Sequence, residues 1–305
     1  MAKRVVSISL GSSRRNKAEE VELFGQTFRL ERIGTDGDPK KFGQMFAELD
    51  GQVAAFGIGG ADRYVVSGTR RYEFREVRKW VRGAIKTPVL DGSRLKHTLE
   101  REAVEVLDRE GIVDFSKERA LLMSAVDRFG MAQALAERCP DIVFGDLIFG
   151  LGMPIPVRKY STVKLIASLS LPIITQLPFQ WFYPTGAKQE KRDLRFARFF
   201  IDRTLICGDS LYILRYAPDD LTGRTILTQS MRADNFEFLR SAGAKRVITT
   251  TPMVNGETFA TNVMEAAIVA ALETPPDQLT DDDFRQALST LRWRPTVTEL
   301  SDASG

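Results

Sequence analysis

Asp91, Ser93, Lys96 and His97 lie close together in the stretch DGSRLKH, where a short apolar run ends and a strongly helical segment begins. On a helix starting there, Ser93, Lys96 and His97 stand at i, i+3 and i+4 and share one face. A lysine beside an aspartate can steady a hydroxyl and exchange its proton, so Lys96 with Asp91 forms the candidate catalytic pair. The same pattern fits an N-capped helix with an exposed lysine equally well. His97 is the sole histidine of the chain, and no nucleophile elbow accompanies it. One histidine and two separated cysteines, Cys139 and Cys207, argue against a zinc site, so no metal is expected.

A second set of candidates follows from the buried-strand pattern of 119–146. RALLMSAV reads as a strand, DRFG as a turn, MAQALAERC as a helix and PDIVFGD as a strand ending on an acid. In open parallel sheets ligands bind beyond the carboxyl ends of the strands, where loop amides and helix N-termini converge. That rule selects Arg128 and Gly130 after the first strand, Asp146 after the second, Asp209 in CGDS and Thr250 in TTTP as cofactor-binding candidates. Asp146 lies about 20 residues beyond the loop, where an acid commonly receives a ribose hydroxyl. Asp127 opposes this reading, because a carboxylate repels a pyrophosphate, and the GxGxxG fingerprint is absent. GIGGADRY and the later Asn262 and Glu265 are further strand-end or helix-start features. Each reads either as part of a site or as ordinary turn and cap chemistry.

The elements that must position these residues are legible from periodicity. Arg4 to Leu10 alternates as a first strand, 20–24 and 27–33 flank a tight turn, and 40–49 carries one apolar helical face. Val53 to Ile58 and 88–90 are short strands, and 94–110 is a long helix with i,i+4 charge pairs. Five buried strands near 121, 142, 205, 226 and 247 alternate with helices, which predicts a doubly wound parallel sheet. The fold class expected is therefore α/β, a Rossmann-like sheet plus an N-terminal α/β domain. Its divisions are 1–115 with the bridging helix 94–110, then 116–260 with a helical insertion at 147–203, then C-terminal helices over 261–305.

Composition narrows the class. A formal net charge of +3 with no concentrated basic face gives no reason to expect a nucleic-acid partner. The isolated cysteines read as reduced core residues of a cytoplasmic protein. Residues 165–183 are apolar but broken by Pro172 and Pro178, which predicts a buried or oligomer-facing segment, with membrane contact as the other reading.

Taken together, SLGSS, ERIGTDGD, FGIGGADRY, VLDGSRLKHTLER, VDRFGMAQALAE, FGDLIFGLGMPIP, YPTGAKQE and TTTPMVNGETFATNVMEA resemble a bacterial family whose members often carry the automatic name quinate 5-dehydrogenase. The architecture is similar to that of shikimate and quinate dehydrogenases, which pair an N-terminal substrate domain with a Rossmann domain and a returning C-terminal helix. The resemblance implies a Lys and an Asp at the hydroxyl being oxidised, with Lys96 and Asp91 as the positional candidates. It also implies a glycine-rich dinucleotide loop, in whose place VDRFG stands.

The leading expectation is an NAD(P)-dependent oxidoreductase acting on a small polar metabolite, with NAD or NADP held by Arg128, Gly130, Asp146, Asp209 and Thr250. Two alternatives stand beside it. One is a non-redox transferase, ligase or lyase using another nucleotide or a phosphorylated metabolite. The other is a ligand-binding or membrane-associated module. A homo-oligomer is compatible with each.

Overall fold

A computed structural model describes residues 2–67, 70–181, 192–251, 253–254 and 257–300. The elements run β1 (Lys3–Ser9), β2 (Lys17–Leu23), β3 (Gln26–Gly34), α1 (Pro39–Glu48), β4 (Ala55–Gly59), β5 (Tyr64–Ser67) and β6 (Arg70–Glu73). Then come α2 (Arg75–Trp80), β7 (Val89–Leu90), α3 (Ser93–Arg109), β8 (Arg119–Leu122), α4 (Phe129–Arg138), β9 (Asp141–Phe144) and α5 (Tyr160–Ile174). The chain continues through β10 (Leu205–Gly208), α6 (Ser210–Tyr216), β11 (Thr225–Thr228), α7 (Ala233–Ser241) and β12 (Arg246–Thr249). It ends with β13 (Met253–Val254), β14 (Glu257–Thr258), α8 (Thr261–Leu272), α9 (Asp281–Thr290) and β15 (Thr296–Glu299).

These elements form two compact units, each assembled from three stretches of chain. Unit 1 holds Met1–Thr98, Ser168–Gln189 and Phe259–Trp293; unit 2 holds Leu99–Ala167, Glu190–Thr258 and Arg294–Gly305. The sequence reading used contiguous blocks. In the structure, α8 and α9 count with unit 1, as does the 168–189 part of the expected insertion. The helix expected over 188–201 falls partly outside the described residues, and 194–200 is a 3-10 helix.

Unit 1 is built on the sheet β2-β3-β1-β4-β7, in which β3, β1, β4 and β7 are parallel and β2 is an antiparallel edge. Val5, Val6 and Ile8 of β1 are all buried, so this central strand is covered on both faces. α1 supplies Phe42 and Phe46, whose rings meet edge to face at 5.1 Å, and Phe46 meets Phe56 of β4 at the same distance. Each fully buried phenylalanine contributes roughly 1.5–3 kcal/mol of transfer free energy. In α8, every residue from Thr261 to Ala270 is buried, as expected of a helix apolar all round and packed on a sheet.

Unit 2 carries the order β9-β8-β10-β11-β12, all parallel, with β15 added antiparallel to β12. In order of appearance this is 2-1-3-4-5, the flavodoxin-like winding rather than the 3-2-1-4-5-6 of dinucleotide-binding sheets. Alternate residues of β8 and the residue that follows it feed two separate cores. Ala120 and Leu122 join Met131, Leu135, Val104 and Leu107 on one face, while Leu121 and Met123 join Ile213, Tyr216, Leu239 and Phe200 on the other. Helices therefore cover both faces of the sheet.

The apolar stretch beginning at 165 forms most of α5, with Pro172 inside the helix. Val163, Ala167 and Leu171 are buried, whereas Leu165, Leu169 and Ile173, four residues apart, face solvent. No helix among the described residues is long and apolar enough to cross a membrane.

Candidate functional site

The carboxyl edge of the unit 1 sheet gathers the polar residues that follow β4 and β7. Asp91 comes directly after β7, and its two oxygens hold separate pieces of chain: Oδ2 accepts from Tyr64 N–H at 2.8 Å and Oδ1 from Ser93 N–H at 3.1 Å. Arg71 of β6 donates to Ser93 Oγ at 3.3 Å, and its guanidinium lies 4.0 Å from the centre of the Tyr64 ring. Tyr64, Asp91, Ser93 and Arg71 thus close a ring of contacts. Burial pushes the Tyr64 phenol up, so the hydroxyl keeps its proton.

Lys96 belongs to this edge through a different partner. Its Nζ donates to Asp62 Oδ1 at 2.6 Å, with both side chains largely shielded from solvent. The sequence reading put Lys96 with Asp91. The structure gives Lys96 to Asp62, a residue of GIGGADRY, and gives Asp91 to backbone amides. That arrangement fixes two loops and presents Asp62 and Lys96 as a fixed acceptor and donor.

Behind the ring stands α8. Glu265 Oε2 accepts from the N–H groups of Arg94 at 3.0 Å and Leu95 at 3.3 Å, capping the start of α3. Burial, followed by the neighbouring charge of Asp91, pushes the Glu265 carboxyl up to about 8. Asn262 donates to Ser7 Oγ at 3.1 Å and to the carbonyl of Ile58, fastening α8 to β1 and β4. The close approach requires glycines: a Cβ on Gly57 would stand 3.2 Å from Asn262 O, and one on Gly92, at φ +85°, 2.9 Å from Asn262 N. His97 lies on α3 with Nε2 3.5 Å from Asp281 Oδ2.

The carboxyl edge of unit 2 does bring Arg128, Asp209 and Thr250 to the ends of β8, β10 and β12, as the sequence reading placed them. Their partners alter the chemistry. Arg128 is 3% exposed and Glu100 fully buried. The guanidinium binds Glu100, Asp127 at 3.0 Å and Asp209 at 2.8 Å, and these three carboxylates hold it charged despite burial. Asp209 caps α6 through Leu211 N–H at 2.9 Å and also accepts from Gln229 Nε2 at 2.7 Å. Thr250 is buried, its N–H donating to Thr228 O at 2.9 Å. Gly130 is the buried second residue of α4.

Asp146, expected from the sequence to receive a ribose hydroxyl, instead binds the loop amides after β8. Its Oδ1 accepts from Ala125 N–H at 2.9 Å, Val126 N–H at 3.0 Å and Ser124 Oγ at 3.2 Å. The loop amides after β8 are thus satisfied by the protein's own carboxylate. An incoming pyrophosphate would face that carboxylate and Asp127. The expectation of NAD or NADP at Arg128, Gly130, Asp146, Asp209 and Thr250 is corrected accordingly. Glu100 lies 28 residues before Arg128 on another element, and sequence reasoning missed it because a helical glutamate among several carries no mark of its partner. Among the described residues no group of His, Cys, Asp and Glu is arranged to hold a metal.

An arabinose-binding protein from Geobacillus stearothermophilus is similar at 9% identity and TM-score 0.40, over 98% of this chain and 97% of its own. A glucose-galactose binding protein from the same organism matches at 9% identity and TM-score 0.39, over the full length of both. A galactofuranose binding protein matches at 12% identity and TM-score 0.37, over 98% of this chain and 95% of its own. The oxidoreductase reading, its quinate-dehydrogenase-like catalytic pair and its cofactor are set aside on the geometry above, in which Lys96 pairs with Asp62 and the loop amides after β8 are taken by Asp146. No curated protein matches the chain. A family model described as a domain of unknown function (DUF8753) matches residues 4–91. A second model matches residues 94–300, more than half of the sequence, and the chain therefore belongs to the family described as domain of unknown function DUF8754.

Proposed function

We propose that this protein binds a small, uncharged, hydroxyl-bearing metabolite without transforming it, and that the carboxyl edge of unit 1 is where it does so. The observation that carries the reading is the Asp62–Lys96 pair, 2.6 Å apart, beside the closed ring of Tyr64, Asp91, Ser93 and Arg71. A hydroxyl both donates and accepts, and a fixed carboxylate next to a fixed ammonium offers one partner for each role. The half-buried Tyr64 ring adds an apolar face, the combination through which small-molecule sites orient their ligands. The unit 2 sheet, with helices on both faces, supports a Rossmann-like reading in layering alone.

The test is isothermal calorimetry on the full chain with neutral monosaccharides, polyols and hydroxy acids, followed by chemical recovery of the ligand. Saturable binding with the ligand recovered unchanged is expected. Lys96→Met should weaken it about tenfold or more, since a hydrogen bond to a charged group contributes about 1.5–3 kcal/mol. Binding unaffected by Lys96→Met, no binding at millimolar ligand, or turnover of the ligand each overturns the reading.

A further inference from the structure

α5 turns large apolar side chains outward as well as inward. Val163, Ala167 and Leu171 are buried, while Leu165, Leu169 and Ile173 are 61%, 69% and 65% exposed and follow one another at i, i+4 and i+8. At 3.6 residues per turn these three span one face about 80° wide, and the exposed Pro172 lies alongside them. The loop that leads into the helix exposes Leu151, Met153 and Ile155. Single surface leucines are ordinary, but an unbroken apolar row on one helix face marks a contact surface.

Charge decides what such a face can meet. Residues 147–189 contain no Asp or Glu, in a chain that has 40 of them, yet carry Arg158, Lys159, Lys164 and Lys188. Lys159 and Lys164 are exposed, and Lys164 stands at the margin of the apolar face with its ammonium 5.3 Å from the centre of the Tyr160 ring. Arg158 reaches Asp141 at 3.2 Å, but that carboxylate also holds Arg203 at 2.8 Å, so base outnumbers acid there too. A second copy docked through the same face would bring the same acid-free segment, and the lysines would gain no counter-charge. A layer of anionic headgroups over acyl chains meets both needs. Leucine and isoleucine enter the apolar boundary, and the lysine stems run along it while their ammonium groups stay among the headgroups.

We infer that the exposed face of α5 docks this protein on an anionic lipid surface. Leu165, Leu169 and Ile173 insert at the headgroup boundary, and Lys159 and Lys164 pair with headgroup charge. The helix lies on the surface; no helix among the described residues is long and apolar enough to cross a membrane. None of the residues proposed above to hold a metabolite takes part, so this inference and that reading fail separately.

The test is co-sedimentation of the full chain with sucrose-loaded phosphatidylcholine vesicles, with and without phosphatidylserine, beside sedimentation velocity of the protein alone. Saturable binding is expected on the phosphatidylserine vesicles, weakened by added salt and about tenfold or more weaker on phosphatidylcholine alone. Leu165→Ser/Leu169→Ser/Ile173→Ser should lose about tenfold or more with the melting temperature held, because exposed side chains add little to folding. Lys159→Gln and Lys164→Gln should each lose roughly fivefold. If the triple variant melts early, the single Leu169→Gln is read in its place, with a smaller loss expected. No binding to phosphatidylserine vesicles, equal binding to both lipids, or full binding by the triple variant and by Leu169→Gln overturns the inference. A dimer that forms without lipid and is abolished by the same apolar substitutions, in a protein that leaves vesicles alone, assigns the face to a second copy and also overturns it.

Discussion

Replacing Arg128 by methionine tests whether this arginine is an internal counter-charge or a ligand-binding group. Its guanidinium is 3% exposed and touches Glu100, which is fully buried, as well as Asp127 and Asp209. Removing it leaves the Glu100 charge in the core with its principal partner gone. Breaking a buried ion pair from one side costs about 3–5 kcal/mol. With about 2–4 °C lost per kcal/mol in a domain of 150–250 residues, the expected fall in melting temperature is roughly 6–20 °C. Urea unfolding followed by circular dichroism gives the free energy directly. The second arm is Arg128→Met with Glu100→Gln, which removes the stranded charge and should recover most of the loss. A single-variant cost below about 1 kcal/mol, or no recovery in the double variant, would refute the assignment of Arg128 to the core.

Two further perturbations probe how α8 is held against the unit 1 sheet. Glu265 has a carboxyl raised to about 8 in the folded state, so folding favours its protonated form. That contribution is fully present below the unfolded value near 4.3 and is lost as pH rises through about 8, at up to about 1.4 kcal/mol per pH unit; Glu265→Gln should flatten this slope in urea midpoints measured from pH 5 to 9. Gly92→Ala places a methyl 2.9 Å from Asn262 N at φ +85°, and should cost about 1–3 kcal/mol for the backbone alone, read as a lowered urea midpoint at unchanged slope.

The strands were legible because each is a short apolar run bounded by turn residues. All five strands expected near 121, 142, 205, 226 and 247 are present as β8, β9, β10, β11 and β12. The carboxyl-edge rule also picked out Arg128, Asp209 and Thr250, which do stand at strand ends. It could not show that Arg128 and Asp209 spend their charges on one another, since the partners of Arg128 come from α3, its own loop and the start of α6. Within GIGGADRY nothing local marks Asp62 as the partner of Lys96, 34 residues on. β15 escaped notice because TVTE is only half-buried and follows a proline-containing stretch without alternation.

The assignment of α8 to unit 1 also constrains how the chain folds as it is made. The strands of the unit 1 sheet are complete by Leu90, but the helix that buries its ten apolar and polar residues against β4 and β1 begins at Thr261. Until that point is synthesised, one face of an apolar sheet lacks its cover. Unit 2, by contrast, has all five parallel strands by Thr249. Unit 2 in turn receives its edge strand β15 only at Thr296–Glu299, so neither unit is complete until the last stretch of the chain is made, and the unit 1 sheet waits longest between its strands and its cover.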